Sequence, residues 1–277
     1  GGRRTPGDGP YDVKCFTTCQ IGAKSHSATR YMQHSASSYR PQPLDFERLT
    51  PVDQQQRAAA FAATMQRRRT VRDFAHDPLP DGVLERLVAL ANRAPSAGKT
   101  QGWHLVALEG ERTAIFWDIT LPAMRRGAFK WQGLLDAPVI LLPFADPKAY
   151  VDRYGEPDKA ATGLGAGPDA WPVPYWTVDA SMSVMTLLLA AEDEGLGALF
   201  FGVFRGEREL RRTWGVPPWL QLLGAISLGY PASSDRSGAD SSVIVTLLPI
   251  AVRTRPSSPA RAAPRRGCAE GRFPMRP

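Results

Sequence analysis

The stretch that organises this sequence reads Arg67-Arg68-Arg69-Thr70-Val71-Arg72-Asp73-Phe74, with four arginines in six positions. This density of positive charge suits an anion, and the planar guanidinium fork matches a phosphate better than the point charge of a lysine does. The alternative is that the arginines only end a long helix, because cations in a last turn complement the negative end of the helix dipole. The stretch by itself leaves both interpretations open.

A helix is predicted immediately before the arginine run. Residues from Asp53 to about Arg68 are rich in Ala and Gln, with Phe61, Ala62 and Met65 on one side. After the run, Asp81 is a good N-cap residue for a second helix, which the turn at 94–98 ends. The pattern then predicts a strand at His104–Leu108, a helix from Arg112 to about Arg126, and a buried strand at Ala137–Pro143.

The segment from Asp146 to Pro174 is rich in Gly and Pro and is long for a connection, so it is predicted to be a lid or a binding loop. Its glycines do not form a dinucleotide fingerprint, because no strand precedes them and their spacing is wrong. Thr177 is predicted to cap a nearly all-apolar, central helix that runs to about Glu194 and ends at Gly195. The remaining predicted elements are a strand at Leu199–Val203, a helix at Glu207–Trp214 and a strand at Leu222–Gly229.

Composition and charge limit the possible functions. The 277 residues are 43% hydrophobic, enough for a sizeable core, and no apolar run approaches the roughly 18 residues of a membrane helix. No secretory signal is visible, so a cytoplasmic location is expected. The net charge of +7 comes from the tails, because residues 41–240 hold 21 basic against 24 acidic side chains. Nucleic acid is therefore an unlikely partner, and no membrane partner is expected.

The tails carry few signals. Residues 1–40 show no periodicity and are expected to be a disordered arm or an expression remnant, and residues 241–277 a disordered tail. All three cysteines, Cys15, Cys19 and Cys268, lie in these tails. A zinc site formed by the first two with His26 and His34 has no usual finger spacing, so free thiols are the simpler interpretation.

Four motifs in order resemble the FMN-dependent nitroreductase family, over about residues 60–232. They are Arg68-Arg69-Thr70-Val71-Arg72-Asp73-Phe74, then Ala94-Pro95-Ser96-Ala97-Gly98-Lys99-Thr100-Gln101-Gly102-Trp103, then Leu187-Leu188-Leu189-Ala190-Ala191 with Gly195-Leu196-Gly197, and last Phe200-Phe201-Gly202 continuing to Leu228-Gly229-Tyr230-Pro231. The resemblance implies an α+β fold, with an antiparallel-dominated sheet flanked by helices. It also implies an intertwined homodimer with two FMN sites at the interface, formed by a domain at residues 41–240.

The resemblance also assigns roles to residues. Arg68, Arg69 and Thr70 are expected to hold the FMN phosphate, and Arg72 to lie near N1 and O2 of the flavin. Phe201 and Gly202 are expected to lie against the ring and offer a backbone N–H to N5. This division of roles favours the anion interpretation of the arginine run and leaves Arg67 to the helix end.

The loop Pro95 to Gln101 is expected to reach the flavin of the partner subunit, with Pro95, Ser96 and Ala97 approaching by backbone and small side chains. Lys99 stands where the family usually has asparagine, and Gln101 closes the loop. The family's basic phosphate contact after the last strand has no clear counterpart: Arg236, Arg253 and Arg255 are equivalent candidates. Lys130 is a further basic residue that could face the ring.

The function that the resemblance implies is hydride transfer from NAD(P)H through FMN to a small acceptor such as a nitroaromatic or a quinone. The cofactor carries the chemistry, so Asp73, His76 and His104 are expected to be structural. The Asp146 to Pro174 segment, with Trp171, Tyr175 and Trp176, is the expected acceptor-side lid. The alternatives are a flavin-consuming enzyme like dimethylbenzimidazole synthase, a reductive dehalogenase, or a protein that sequesters flavin without turnover.

Overall fold

The computed structural model describes residues 50–233 together with the backbone of residues 14–17. These residues belong to one unit within residues 1–239. The predictions for the two tails therefore lie outside the described residues, except at Lys14–Thr17. Those four residues form a strand, β1, where little structure was expected.

Helix α1, Pro51–Arg67, starts at a capping box. The Thr50 hydroxyl accepts from the Asp53 amide at 3.2 Å, and the Asp53 carboxylate accepts from the Thr50 amide at 3.1 Å. These two bonds satisfy two of the N–H groups that a helix start leaves unpaired. The predicted helix before the arginine run is thus confirmed, with a start two residues earlier.

Both N-caps that the sequence predicts, Asp81 and Thr177, are wrong. Helix α2, Val83–Ala91, is capped by Gly82 in the left-handed conformation and not by Asp81, because the turn closed by the Val83 amide on Pro80 places glycine at the cap. The long central helix begins at Tyr175 after Pro174, and Thr177 lies inside it, where its hydroxyl bonds Gln221. The predicted C-terminal stop at Gly195, with φ +76°, is confirmed.

Among the described residues the sheet has six strands, with the order β1-β2-β3-β6-β4 and β5 paired to β3. All the strand pairs are antiparallel. The strands after β1 are β2 (Trp103–Glu109), β3 (Val139–Ala145), β4 (Gly197–Phe201), β5 (Gln221–Leu222) and β6 (Ala225–Gly229). The predicted strands are therefore present, with ends displaced by at most two residues, and the strand predicted at Leu222–Gly229 is divided into β5 and β6.

The remaining helices cover both faces of the sheet. They are α3 (Glu111–Thr120), α4 (Ala123–Arg126), α5 (Pro147–Tyr154), α6 (Tyr175–Asp193) and α7 (Glu207–Thr213). The helix predicted from Arg112 to about Arg126 is interrupted before Pro122, because proline cannot continue a helix from the preceding turn. None of the helices described is both long and apolar enough to cross a bilayer.

Each strand supplies alternate side chains to two cores. Leu105 and Leu141 face α2, α5 and α6, whereas Val106 and Ile140 face α3 and α7. This alternation follows from the period of two along a strand and gives three layers, helix on sheet on helix. The predicted α+β class, with a sheet flanked by helices, is confirmed.

The segment from Asp146 to Pro174 is not the irregular loop that its composition predicts. It contains α5 and three short 3-10 turns, at Ala160–Thr162, Leu164–Ala166 and Pro168–Ala170. Trp171 and Trp176 are buried among the aromatic rings of the core. Burial of these side chains in the core is inconsistent with a lid that opens and closes. The segment is therefore part of the folded scaffold.

Gly197 offers a test of how the arginine run is docked. A Cβ at this buried position would lie 2.7 Å from the Val71 side chain. We expect Gly197→Ala to lower the free energy of unfolding by about 1–3 kcal/mol, the usual effect of overpacking, measured by urea denaturation. Gly127→Ala is the matched control, because its Cβ meets nothing within 4 Å and its φ is −60°. Equal stability of the two variants would contradict this packing.

Candidate functional site

The arginine run continues from α1 as an extended segment beside the edge strand β4. Thr70 pairs with Ala198, and the Val71 amide donates to the Ala198 carbonyl at 3.1 Å. Val71 and Phe74 are buried in the core, where they anchor the segment. Arg67 is exposed, whereas Arg68, Arg69 and Arg72 are half-buried.

The arginines have different surroundings. Arg67 ends α1 and lies 3.5 Å from the Glu192 carboxylate, which supports the interpretation of this residue as a helix-end cation. Within residues 50–233, the Arg68 guanidinium has no carboxylate partner, and it is half-buried. A cation placed in this way is suited to an external anion.

Arg72 lies over the indole ring of Trp131, with 5.4 Å from its guanidinium carbon to the ring centroid. Lys130 approaches the same ring at 5.7 Å. Trp131 is partly exposed and was not among the predicted site residues. This cation–π contact orients the Arg72 guanidinium. In the sequence, only the adjacent Lys130 and Trp131 could have indicated that Trp131 belongs to the site.

At the other end of β4, Phe201 packs into the core, whereas Gly202 is exposed. The Phe201 ring is stacked on Trp117, with centroids 5.9 Å apart and planes 5° apart, so this side chain belongs to the core. Gly202 is exposed, and a Cβ there would lie 2.6 Å from the ring of Phe204. Only backbone at this position is open to a ligand. About four residues, or roughly 13 Å of strand, separate it from Ala198.

The loop Pro95 to Gln101 is strained. Gly98, Lys99 and Gln101 all have positive φ, at 63°, 57° and 49°. Left-handed backbone costs a residue with a Cβ roughly 1–2 kcal/mol, and asparagine tolerates it better than lysine does. The backbone conformation therefore gives a physical reason for the family's asparagine at the position of Lys99.

Hydrogen bonds fix this loop to its own residues and to α2, α5 and α6. The Gln101 amide donates to the Ser96 hydroxyl at 2.9 Å, and the Gln101 side chain donates to the Asn92 carbonyl at 3.2 Å. The Ala97 amide donates to the Asp179 carboxylate at 2.7 Å. The Ala97 N–H is therefore engaged within the protein and is not offered to a ligand.

Asp179 and Tyr150 were missed by sequence reasoning. The Tyr150 hydroxyl donates to the same carboxylate oxygen of Asp179 at 2.8 Å, and both residues are buried. Burial, together with this hydrogen bond, raises the pKa of Tyr150 above its ordinary value. The sequence feature that could have indicated this pair is Asp179 itself, because it is the one acidic residue in the apolar helix α6 before Glu192.

The two histidines expected to be structural are paired with acids. His104 Nε2 lies 3.3 Å from Asp146, which is the N-cap residue of α5, and His76 lies 3.8 Å from Asp136. Across residues 50–233, His, Cys, Asp and Glu form no group of three or more that could hold a metal ion.

Comparison with known proteins identifies this arrangement. The model of the nitroreductase family matches residues 65–230, which is more than half of the sequence. The chain belongs to the nitroreductase family. An NADH dehydrogenase of Thermus thermophilus is 29% identical over 60% of this chain and 84% of its own length. A 5,6-dimethylbenzimidazole synthase of Rhodospirillum rubrum is 30% identical over 61% of this chain and 81% of its own.

The nitroreductase fold is also found by comparison with solved structures. Nitroreductase CinD from Lactococcus lactis, in complex with nicotinic acid, aligns with a TM-score of 0.55 and 18% identity. The alignment covers 66% of this chain and 94% of CinD. At this identity the likeness shows the fold alone, and the helices and antiparallel sheet described above agree with it.

The residues of this nitroreductase-family site fit FMN. Half-buried arginines beside a threonine hydroxyl suit a phosphate dianion, which accepts charge-assisted hydrogen bonds. The exposed backbone at Gly202, which has no side chain, suits the close approach of a flat ring. The two groups lie at opposite ends of β4, as the phosphate and ring of an elongated cofactor require.

The left-handed conformation of Lys99 leads to a stability prediction. We expect Lys99→Asn to raise the free energy of unfolding by roughly 0.5–1 kcal/mol, because asparagine lowers the cost of positive φ. The β-branched variant Lys99→Val should lower it. Thermal and urea denaturation measure both changes. Lys159→Asn, at a residue with φ −117°, is the control and should give no gain. A loss of stability in Lys99→Asn would contradict the strain argument.

Proposed function

We propose that this protein is an FMN-dependent oxidoreductase that passes hydride from NAD(P)H to a small acceptor such as a nitroaromatic or a quinone. The observation that carries the proposal is the docking of the Arg68–Arg72 segment on β4. Its backbone is fixed by the Val71 amide, and its three arginines are half-buried on either side of Thr70. Membership of the nitroreductase family and the nicotinamide-linked name of the Thermus thermophilus relative support the redox chemistry.

Each group of residues has a separate task in this proposal. Arg68, Arg69 and Thr70 bind the phosphate, and Arg72, steadied by Trp131, places a cation beside the ring. Gly202 allows backbone to approach the ring and donate to it. When bound, FMN supplies the acceptance and donation of hydride. In this proposal the protein needs no acid or base of its own, because the cofactor carries the chemistry.

The proposal includes a homodimer, which the family resemblance implies. In it, the loop of one subunit and the arginine segment of the other contact the same flavin. Within one chain, the loop is held by α2, α5 and α6, and the arginine segment by β4 and the end of β6. Two helices also carry exposed apolar side chains on one face each: Phe61 and Met65 on α1, Val178 and Met185 on α6. These faces suit a second copy of the chain.

A flavin-consuming reaction is the second candidate, favoured by the likeness to the dimethylbenzimidazole synthase. Incubation of the FMN-loaded protein with excess NADH or NADPH in air, with and without a quinone, separates the two. Steady NAD(P)H oxidation that depends on the quinone, with the flavin recovered intact, supports the reductase. Loss of flavin with appearance of a benzimidazole would overturn it. FMN binding without any turnover would indicate a sequestering protein.

The phosphate assignment predicts a selective loss of affinity. Arg68→Ala should raise the dissociation constant of FMN about 10–100-fold, because hydrogen bonds to charged groups contribute about 1.5–3 kcal/mol. Riboflavin, which has no phosphate, should bind both proteins equally. Quenching of flavin fluorescence measures the four affinities. Arg67→Ala is the matched control, since Arg67 is an exposed residue near Glu192. An equal loss for FMN and riboflavin would rule out a phosphate contact.

The homodimer leads to a second prediction. Met185→Glu places a charge on the exposed face of α6 and should raise the dimer dissociation constant at least about 30-fold. Analytical ultracentrifugation measures this change, and FMN affinity should fall with it. Met124→Glu in α4 adds the same charge to a side chain that is 92% exposed, and it should leave both quantities unchanged. A wild-type protein that stays monomeric at high concentration would refute the dimer.

A further inference from the structure

We infer that Asp179 and Tyr150 are positioning residues that hold the loop Ser96–Gln101 in the conformation in which it meets the flavin. This inference rests on the proposed function, because it concerns the same cofactor site. The two residues lie in α6 and α5, outside the motifs by which the flavin site was predicted. They act on the cofactor through the loop and not by direct contact.

The geometry centres on one buried carboxylate oxygen. Oδ2 of Asp179 accepts the Ala97 amide at 2.7 Å and the Tyr150 hydroxyl at 2.8 Å. Both donors are uncharged, and Asp179 is only 5% exposed. Burial of a carboxylate is costly, and hydrogen bonds of this kind offset the cost only while both donors stay in place. The carboxylate therefore requires the Ala97 peptide to keep its orientation.

The loop needs such an anchor because its backbone is strained. Lys99 and Gln101 hold positive φ, a conformation that persists only where the surroundings fix it. The peptide between Ser96 and Ala97 is fixed on both sides, since the Ser96 carbonyl accepts the Lys99 amide at 3.0 Å. Arg153 adds a second anchor, with Nε 3.1 Å from the Gly98 carbonyl and its guanidinium paired with Asp158.

The consequence is a preorganised surface. A loop that is already fixed in its binding conformation loses little conformational entropy when the ligand binds. Its affinity for the ligand is therefore higher. The segment predicted to be a lid, which includes α5, therefore serves the flavin site as a support. Loss of the Tyr150 hydroxyl should free the loop while leaving the ring of Tyr150 in the aromatic core beside Trp171 and Trp176.

The test uses the full-length protein without flavin and three variants. Tyr150→Phe removes one donor, Asp179→Ala removes the acceptor, and Asp179→Asn keeps an oxygen that can accept from Ala97. We measure hydrogen–deuterium exchange of the peptide that covers residues 95–101, and the dissociation constant of FMN. Tyr154→Phe is the matched control, because Tyr154 lies in the same aromatic cluster and its hydroxyl makes no hydrogen bond among the described residues.

We expect Tyr150→Phe to raise the FMN dissociation constant roughly tenfold and Asp179→Ala more, with faster exchange confined to residues 95–101. Asp179→Asn should recover part of the loss, which a role in general stability would not produce. Unchanged exchange and affinity in Tyr150→Phe and Asp179→Ala, or equal effects of Tyr154→Phe, would overturn the inference while leaving the proposed function intact. A wild-type protein that binds no FMN would overturn both.

Discussion

The backbone pairing of residues 71–75 is the constraint on which the rest of the site depends. Val71 donates to Ala198 of β4, Phe74 to Gly133, and Ala75 to Tyr230, while Ala232 donates back to Asp73. These bonds tie the end of α1 to the edge strand, to the turn before β3 and to the end of β6. The side chains of Val71 and Phe74 are buried, whereas Arg68, Arg69 and Arg72 are half-buried. The paired backbone thus holds these arginines beside β4.

The sequence predicts local structure well where a single segment decides it. Helix α1 is rich in Ala and Gln, and β3 is apolar throughout, so both were predicted within a few residues. The predicted caps at Asp81 and Thr177 failed because a neighbouring glycine or proline sets the backbone first. In each case the residue with the good capping side chain is displaced by one with a stronger backbone preference.

The support of the loop could not be predicted, because it depends on contacts between distant parts of the chain. Asp179 lies 82 residues from Ala97 in the sequence, and no sequence pattern near either residue predicts their hydrogen bond. The Gly- and Pro-rich composition of residues 146–174 predicted a lid, whereas four aromatic rings, Tyr150, Tyr154, Trp171 and Trp176, pack it into the core. The location of the site stays a prediction from the four motifs, and the structure shows which contacts hold the arginine run and the loop in place.

The central claim is that this scaffold binds a flavin that exchanges hydride with nicotinamide and with a second substrate. The most direct measurement is the visible absorbance of the FMN-reconstituted protein during anaerobic addition of NADH or NADPH, followed by a quinone. The account predicts bleaching that is complete near one nicotinamide per flavin and is reversed by the quinone. A protein that takes up no FMN, or whose bound flavin is not reduced by either nicotinamide, would contradict it.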